Sequence, residues 1–116
     1  MAFSEDFLTY VLEQISLIRG VTSKKMFGGL CLFYQGRAFG LIAEDVLYLK
    51  VDDSNRTDFE AEGMDAFVPF PAKPEYKMGY YEVPIDVLEE RETLREWALK
   101  AIAVSKKAAV KKRKKV

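Results

Sequence analysis

Few residues in this chain could do chemistry, and the densest group lies in the stretch KKMFGGLCLFYQGRAFG, from Lys24 to Gly40. It sets Gly28, Gly29, Gly36 and Gly40 among aromatics, directly behind Lys24 and Lys25. Glycines beside lysines can cradle a phosphate. A Walker loop, however, needs GxxxxGK followed by Ser or Thr at the mouth of a helix. No glycine here precedes such a lysine, and GxGxxG is absent. The glycines therefore read as shape. Gly28-Gly29 permits a sharp bend or bulge between strands, where a side chain would obstruct the backbone. Gly36 serves a hairpin, and Gly40 leaves room for an aromatic neighbour or for the first helix to approach.

Acid-base and nucleophilic groups are sparse. The sequence has no histidine. That removes Ser-His and Cys-His pairs and the commonest general base. Cys31 stands alone in an apolar run. It forms no internal disulfide or cysteine-built zinc site and reads as an inert core thiol. Asp52, Asp53 and Asp58 resemble a calcium loop only superficially. Counted from Asp53, the sixth place is Asp58 rather than glycine and the twelfth is Met64 rather than glutamate. Helix capping explains these acids better. No catalytic residue, cofactor or metal site is assigned.

The charge distribution says more. Seven of the 18 basic residues (Lys106, Lys107, Lys111, Lys112, Arg113, Lys114 and Lys115) fall between Ser105 and Val116, and all 18 acids lie before that segment. An acidic body thus carries a basic tail. Clustered cations without acids are what phosphate neutralisation needs. The tail has no Asn, Gln or aromatic residue. It is therefore expected to hold nucleic acid weakly and without sequence preference. A solvated, inactive end is the competing reading.

These groups must be held by a fold that the pattern outlines. Ser4 is a good N-cap, with Glu5 and Asp6 in the first turn; Phe3 and Leu8 are placed for a hydrophobic staple. Phe7, Leu8, Val11, Leu12, Ile15 and Ile18 recur at helical steps, which predicts a helix from about Glu5 to Arg19, stopped by Gly20. The runs LCLFY, RAFGLIA and VLYLKV then read as strands joined by turns at Gln35-Gly36 and, with a weaker signal, Glu44-Asp45. Caps at Asp53, Ser54 or Asn55 and a stop at Gly63 predict a short helix. Pro69, Pro71 and Pro74 predict an extended loop, YKMGYYEVP one more strand, and the rest a single amphipathic helix anchored by Trp97.

The expected architecture is α+β: an N-terminal helix, an antiparallel sheet of four to five strands with a short inserted helix, and a C-terminal helix packed on one face. Residues 1–105 form one domain, and 106–116 a basic disordered tail. The second sheet face is apolar enough to predict a homodimer. No apolar run is long enough to span a bilayer, and the acidic start MAFSEDFL is unlike a secretory leader. A cytoplasmic protein with no membrane partner is expected.

KKMFGG, the Gly36 hairpin with Phe39, LYLKVD, and MGYYEVP followed by a helix bearing Trp97 together resemble the N-terminal domain of the TfoX/Sxy competence regulators. The likeness spans about residues 3–105, and Met26, Phe27, Gly28, Gly29, Tyr80, Tyr81, Pro84 and Trp97 carry it as structural positions. It implies an α+β bacterial domain without catalytic residues, acting in transcription of DNA-uptake genes with a transcription-factor partner, the cyclic-AMP receptor protein. Those regulators have a further C-terminal domain at the place where this sequence has its lysine-rich tail. Two other readings stand beside it. One is a small-ligand domain or enzyme with a pocket lined by Tyr48, Tyr76, Tyr80 and Tyr81. The other is a structural dimerisation module.

Overall fold

The computed structural model describes residues 3–26, 28–68 and 79–114, with side chains through residue 108. Phe27, the proline segment from Pro69 to Pro74, Tyr76 and Lys115 lie outside the described residues.

Helix α1 (Glu5–Gln14) starts as its residue types predict, with the Ser4 hydroxyl accepting the Phe7 N–H at 3.1 Å. Its end comes earlier than expected. After Gln14 the chain passes through tight turns, yet Ile15 and Ile18 stay buried. The apolar spacing therefore outlasts the helix. Phe3 and Leu8 are partly buried and both pack against the core.

Five antiparallel strands follow in sequential order: β1 (Val21–Met26), β2 (Gly29–Tyr34), β3 (Arg37–Ala43), β4 (Val46–Lys50) and β5 (Tyr80–Glu82). Strand β1 has no counterpart among the predicted apolar runs. Its sequence VTSKKM is mostly exposed, as suits an edge strand, so no alternating pattern marks it. Gln35 and Gly36 both take positive φ, 50° and 78°, as a two-residue type I′ hairpin demands. Glu44 and Asp45 do the same at 52° and 59°. The Asp45 carboxylate accepts the Ser4 N–H at 2.6 Å, tying that turn to the start of α1.

The register shifts between Leu32 and Phe33, placing Leu32 opposite Gly40 and Phe33 opposite Ala38. Phe39 is thus the extra residue of a bulge, and its ring is fully buried. A Cβ on Gly40 would stand 3.2 Å from Leu32 Cδ1. The neighbour needing that space is therefore Leu32, not an aromatic ring or α1.

After β4 comes the short helix α2 (Arg56–Ala61). Asn55 precedes it but does not cap it. Its buried amide instead accepts the Asp52 N–H at 2.9 Å and donates to the Lys50 carbonyl at 3.1 Å, closing the turn between β4 and α2. Beyond β5 the expected single helix is two, α3 (Ile85–Glu89) and α4 (Arg91–Lys114), because Glu90 is extended. Gln14 explains how the break is tolerated. Its side-chain amide donates to the Leu88 and Glu89 carbonyls at 2.9 and 3.0 Å, satisfying acceptors that a continuous helix would have used.

The main core lies between one sheet face and the helices, with Leu30, Leu32, Phe39, Ile42, Leu47 and Leu49 meeting Leu94, Ala98 and Ala101 of α4. The opposite face has a smaller cluster of Leu41, Ala43, Phe67 and Tyr80. Phe67 reaches it because residues 65–67 run beside β5, where the Phe67 N–H donates to the Tyr80 carbonyl at 2.7 Å. The fold is α+β, as expected.

Candidate nucleic-acid interface

The basic segment continues a helix. Backbone helix persists through Lys114, so α4 runs on across the expected boundary at residue 105. Alanine and lysine both favour helix, and here that preference prevails over repulsion among neighbouring cations. The side chains of Lys111, Lys112, Arg113 and Lys114 lie outside the described residues, whereas Lys106 and Lys107 are exposed.

Helical register orders these cations. Leu94, Ala98, Ala101 and Ser105 form the buried stripe of α4. Lys100, Lys107, Lys111 and Lys114, spaced by seven, four and three residues, share a second register along the same helix. Trp97 and Val104 lie between the two stripes, on the flank facing α2: Trp97 meets the Phe59 ring edge-on with centroids 4.7 Å apart.

On that flank acids face lysines. Lys100 Nζ lies 2.8 Å from Asp58 Oδ2, and Lys107 Nζ lies 3.5 Å from Asp52 Oδ2. An open cavity of about 580 Å³ separates the Asp52–Ser54 turn from α4; Lys50, Asp52, Ser54, Val104 and Lys107 are among its lining residues. Hydrogen bonds from the Ser54 hydroxyl and N–H, then the Lys107 charge, hold the Asp52 carboxyl below the usual carboxylate range. The fold thus favours ionised Asp52. That contribution is present above the unfolded pKa and is lost as pH falls through the lower folded value.

Among the described residues, Tyr48, Tyr80 and Tyr81 do not line one pocket as expected. Strand alternation sends Tyr80 and Tyr81 to opposite faces of β5: Tyr80 joins Tyr48 beside the second cluster, and Tyr81 packs against the main core. Burial pushes the Tyr80 hydroxyl up to about 12, with Cys31 adding to the rise, and burial also pushes the Cys31 thiol up. Both groups are protonated at neutral pH, which suits packing better than catalysis.

The motif positions are distributed through the architecture. Met26 and Gly29 close the β1–β2 hairpin, and Gly28 turns there at φ 78°. Pro84 is buried at the start of α3. Tyr81 and Trp97 both flank Phe59, on β5 and α4. Residues 13–105 match the TfoX N-terminal domain. The chain belongs to that family. A comparison with curated proteins finds no match. The TfoX-type domain match ends where α4 turns basic, so the lysine stripe begins within the matched region at Lys100 and extends past it.

Clustering in the sequence singles out the tail lysines but not Lys100, which lies in a stretch of mixed charge. Nor do Asp52 and Asp58 act as the helix caps their position suggests. Only the fold brings together partners 42 and 55 residues apart; the available signal is an acid-rich segment in a chain with a basic end.

Proposed function

We propose that this TfoX-type domain is a non-enzymatic regulatory module of the bacterial cytoplasm, acting in transcription control or competence through a protein partner and contacting DNA with the basic end of α4. The observation carrying the DNA reading is the run of cations that continues α4 beyond the matched domain. A helix with Lys111 and Lys114 in one register, beside Lys112 and Arg113, can follow a phosphate backbone. It has no Asn or Gln to read adenine, and contacts to the phosphate backbone are expected to dominate. Engagement of about three cations predicts a slope of log affinity against log salt of about −2.7, and affinity falling about 40-fold from 50 to 200 mM salt. Fluorescence anisotropy with a labelled duplex measures this. Alanine at Lys111, Lys112, Arg113, Lys114 and Lys115 should abolish binding and leave the melting temperature nearly unchanged. Binding that survives those substitutions, or ignores salt, would move the DNA site to the body of the domain.

The same proposal includes a homodimer through the second sheet face or the β1 edge. Strand β1 lies at one end of the sheet, and the cluster around Leu41 and Tyr80 faces away from the helices. Light scattering should show dimer at high micromolar concentration. Monomer alone would remove this part.

A further inference from the structure

Lys100 and Lys107 belong to the lysine stripe by helical register, yet both already face an acid. Asp58 and Asp52 lie in the segment that leaves β4 and forms α2. We propose that the Asp52–Asp58 segment is an intramolecular mask, occupying the proximal half of the lysine stripe until a phosphate polyanion displaces it. This rests on the nucleic-acid reading above and adds its regulation.

The geometry favours a displaceable mask over a fixed brace. The lysine side chains of both pairs are 57% exposed, so neither pair is sealed from solvent. The Lys107–Asp52 pair borders the open cavity between the turn and the helix, so an anion can approach Lys107 without unpacking the core. The turn would survive release. The Asn55 amide and the Ser54 contacts hold its backbone independently of Lys107. A carboxylate at these sites resembles a backbone phosphate in charge and acceptor geometry, so the two compete for the same ammonium groups.

The mask makes the protein less avid for DNA and lowers the number of cations it uses. Exposed pairs of this kind each weaken a competing contact by up to about fivefold. The test is anisotropy with a labelled DNA duplex across about 50–200 mM salt, using the full chain. Asp52→Asn with Asp58→Asn should raise affinity about tenfold at low salt. The slope should steepen by about 0.9 to 1.8 as Lys100 and Lys107 join the contact. The Asp52→Asn change keeps an acceptor for Ser54, so the turn is retained.

A control pair, Asp86→Asn with Glu92→Gln, makes the same change in net charge. These acids are exposed and form no ion pair among the described residues. Because salt screens distant charges, this pair should change affinity less than about twofold. Adding Lys100→Ala and Lys107→Ala to the unmasked variant should erase its gain. Should the double substitution fail to fold, Asp58→Asn alone should still give a gain of about threefold. Equal gains from the two charge-matched pairs, or none from unmasking, would overturn the mask while wild-type binding kept the DNA reading intact. Absence of binding by every variant at low salt would overturn both.

Discussion

Phe59→Ala is expected to cost about 3–5 kcal/mol of folding free energy, more than any other single truncation around the C-terminal helix. The Phe59 side chain is 1% exposed and joins three elements. It lies on α2, meets Trp97 of α4 edge-on, and packs against Tyr81 of β5 with centroids 5.9 Å apart. Truncation leaves a cavity whose walls belong to separate elements and cannot close together. Trp97 has the stronger claim from sequence to anchor α4, but it is only partly buried. Trp97→Ala should therefore cost less, about 2–3 kcal/mol. The two rings should be coupled by about 0.5–1.5 kcal/mol, so the double substitution should cost less than the separate losses combined. Urea denaturation with an unchanged m-value measures all three. A loss below about 1 kcal/mol for Phe59→Ala would mean that α2 is not a structural part of the core.

What can be read from the sequence follows from how local each cause is. Ser4, Glu5 and Asp6 mark the start of α1 because capping acts within one turn. Leu47, Leu49 and Val51 face the core as their alternation predicts, because the period of a strand is local too. The features that escape such reading have distant causes. Strand β1 exists because β2 offers it a partner, not because VTSKKM has an apolar face. The break at Glu90 is accommodated by Gln14, 75 residues from the Glu89 carbonyl that its amide bonds. The tail is a different case: its cations dominate its appearance, while the alanine–lysine helix preference beneath them decides its backbone. The candidate site is legible in the same uneven way. Lys106 and Lys107 announce themselves by clustering, whereas pairing Lys107 with Asp52 requires the sheet to be folded and α4 laid across it.

Gly29→Ala tests whether the glycine pair serves shape, and it is expected to cost about 3 kcal/mol, at the upper end for overpacking by one carbon. A Cβ there would stand 2.7 Å from the Ile42 carbonyl oxygen, closer than real Cβ atoms approach. That oxygen cannot easily give way. Ile42 is fully buried in β3, paired with Leu30 on one side and Leu47 on the other. Relief would have to come from pushing β2 away from β3, which disturbs the bulge around Phe39 and the packing of α4 beneath it. Gly28 offers an internal comparison. Its φ of 78° is left-handed, so Gly28→Ala should cost about 1–2 kcal/mol through backbone strain. Gly28→Asn should cost less, because asparagine tolerates that region. No strain of that kind applies at Gly29, where Gly29→Asn would meet the same carbonyl and rescue nothing. Urea denaturation of the four variants separates the two mechanisms. A phosphate-cradling pair would instead tolerate Gly29→Ala in the absence of any anion. Stability within about 0.5 kcal/mol of wild type for that variant would therefore sink the close-approach reading.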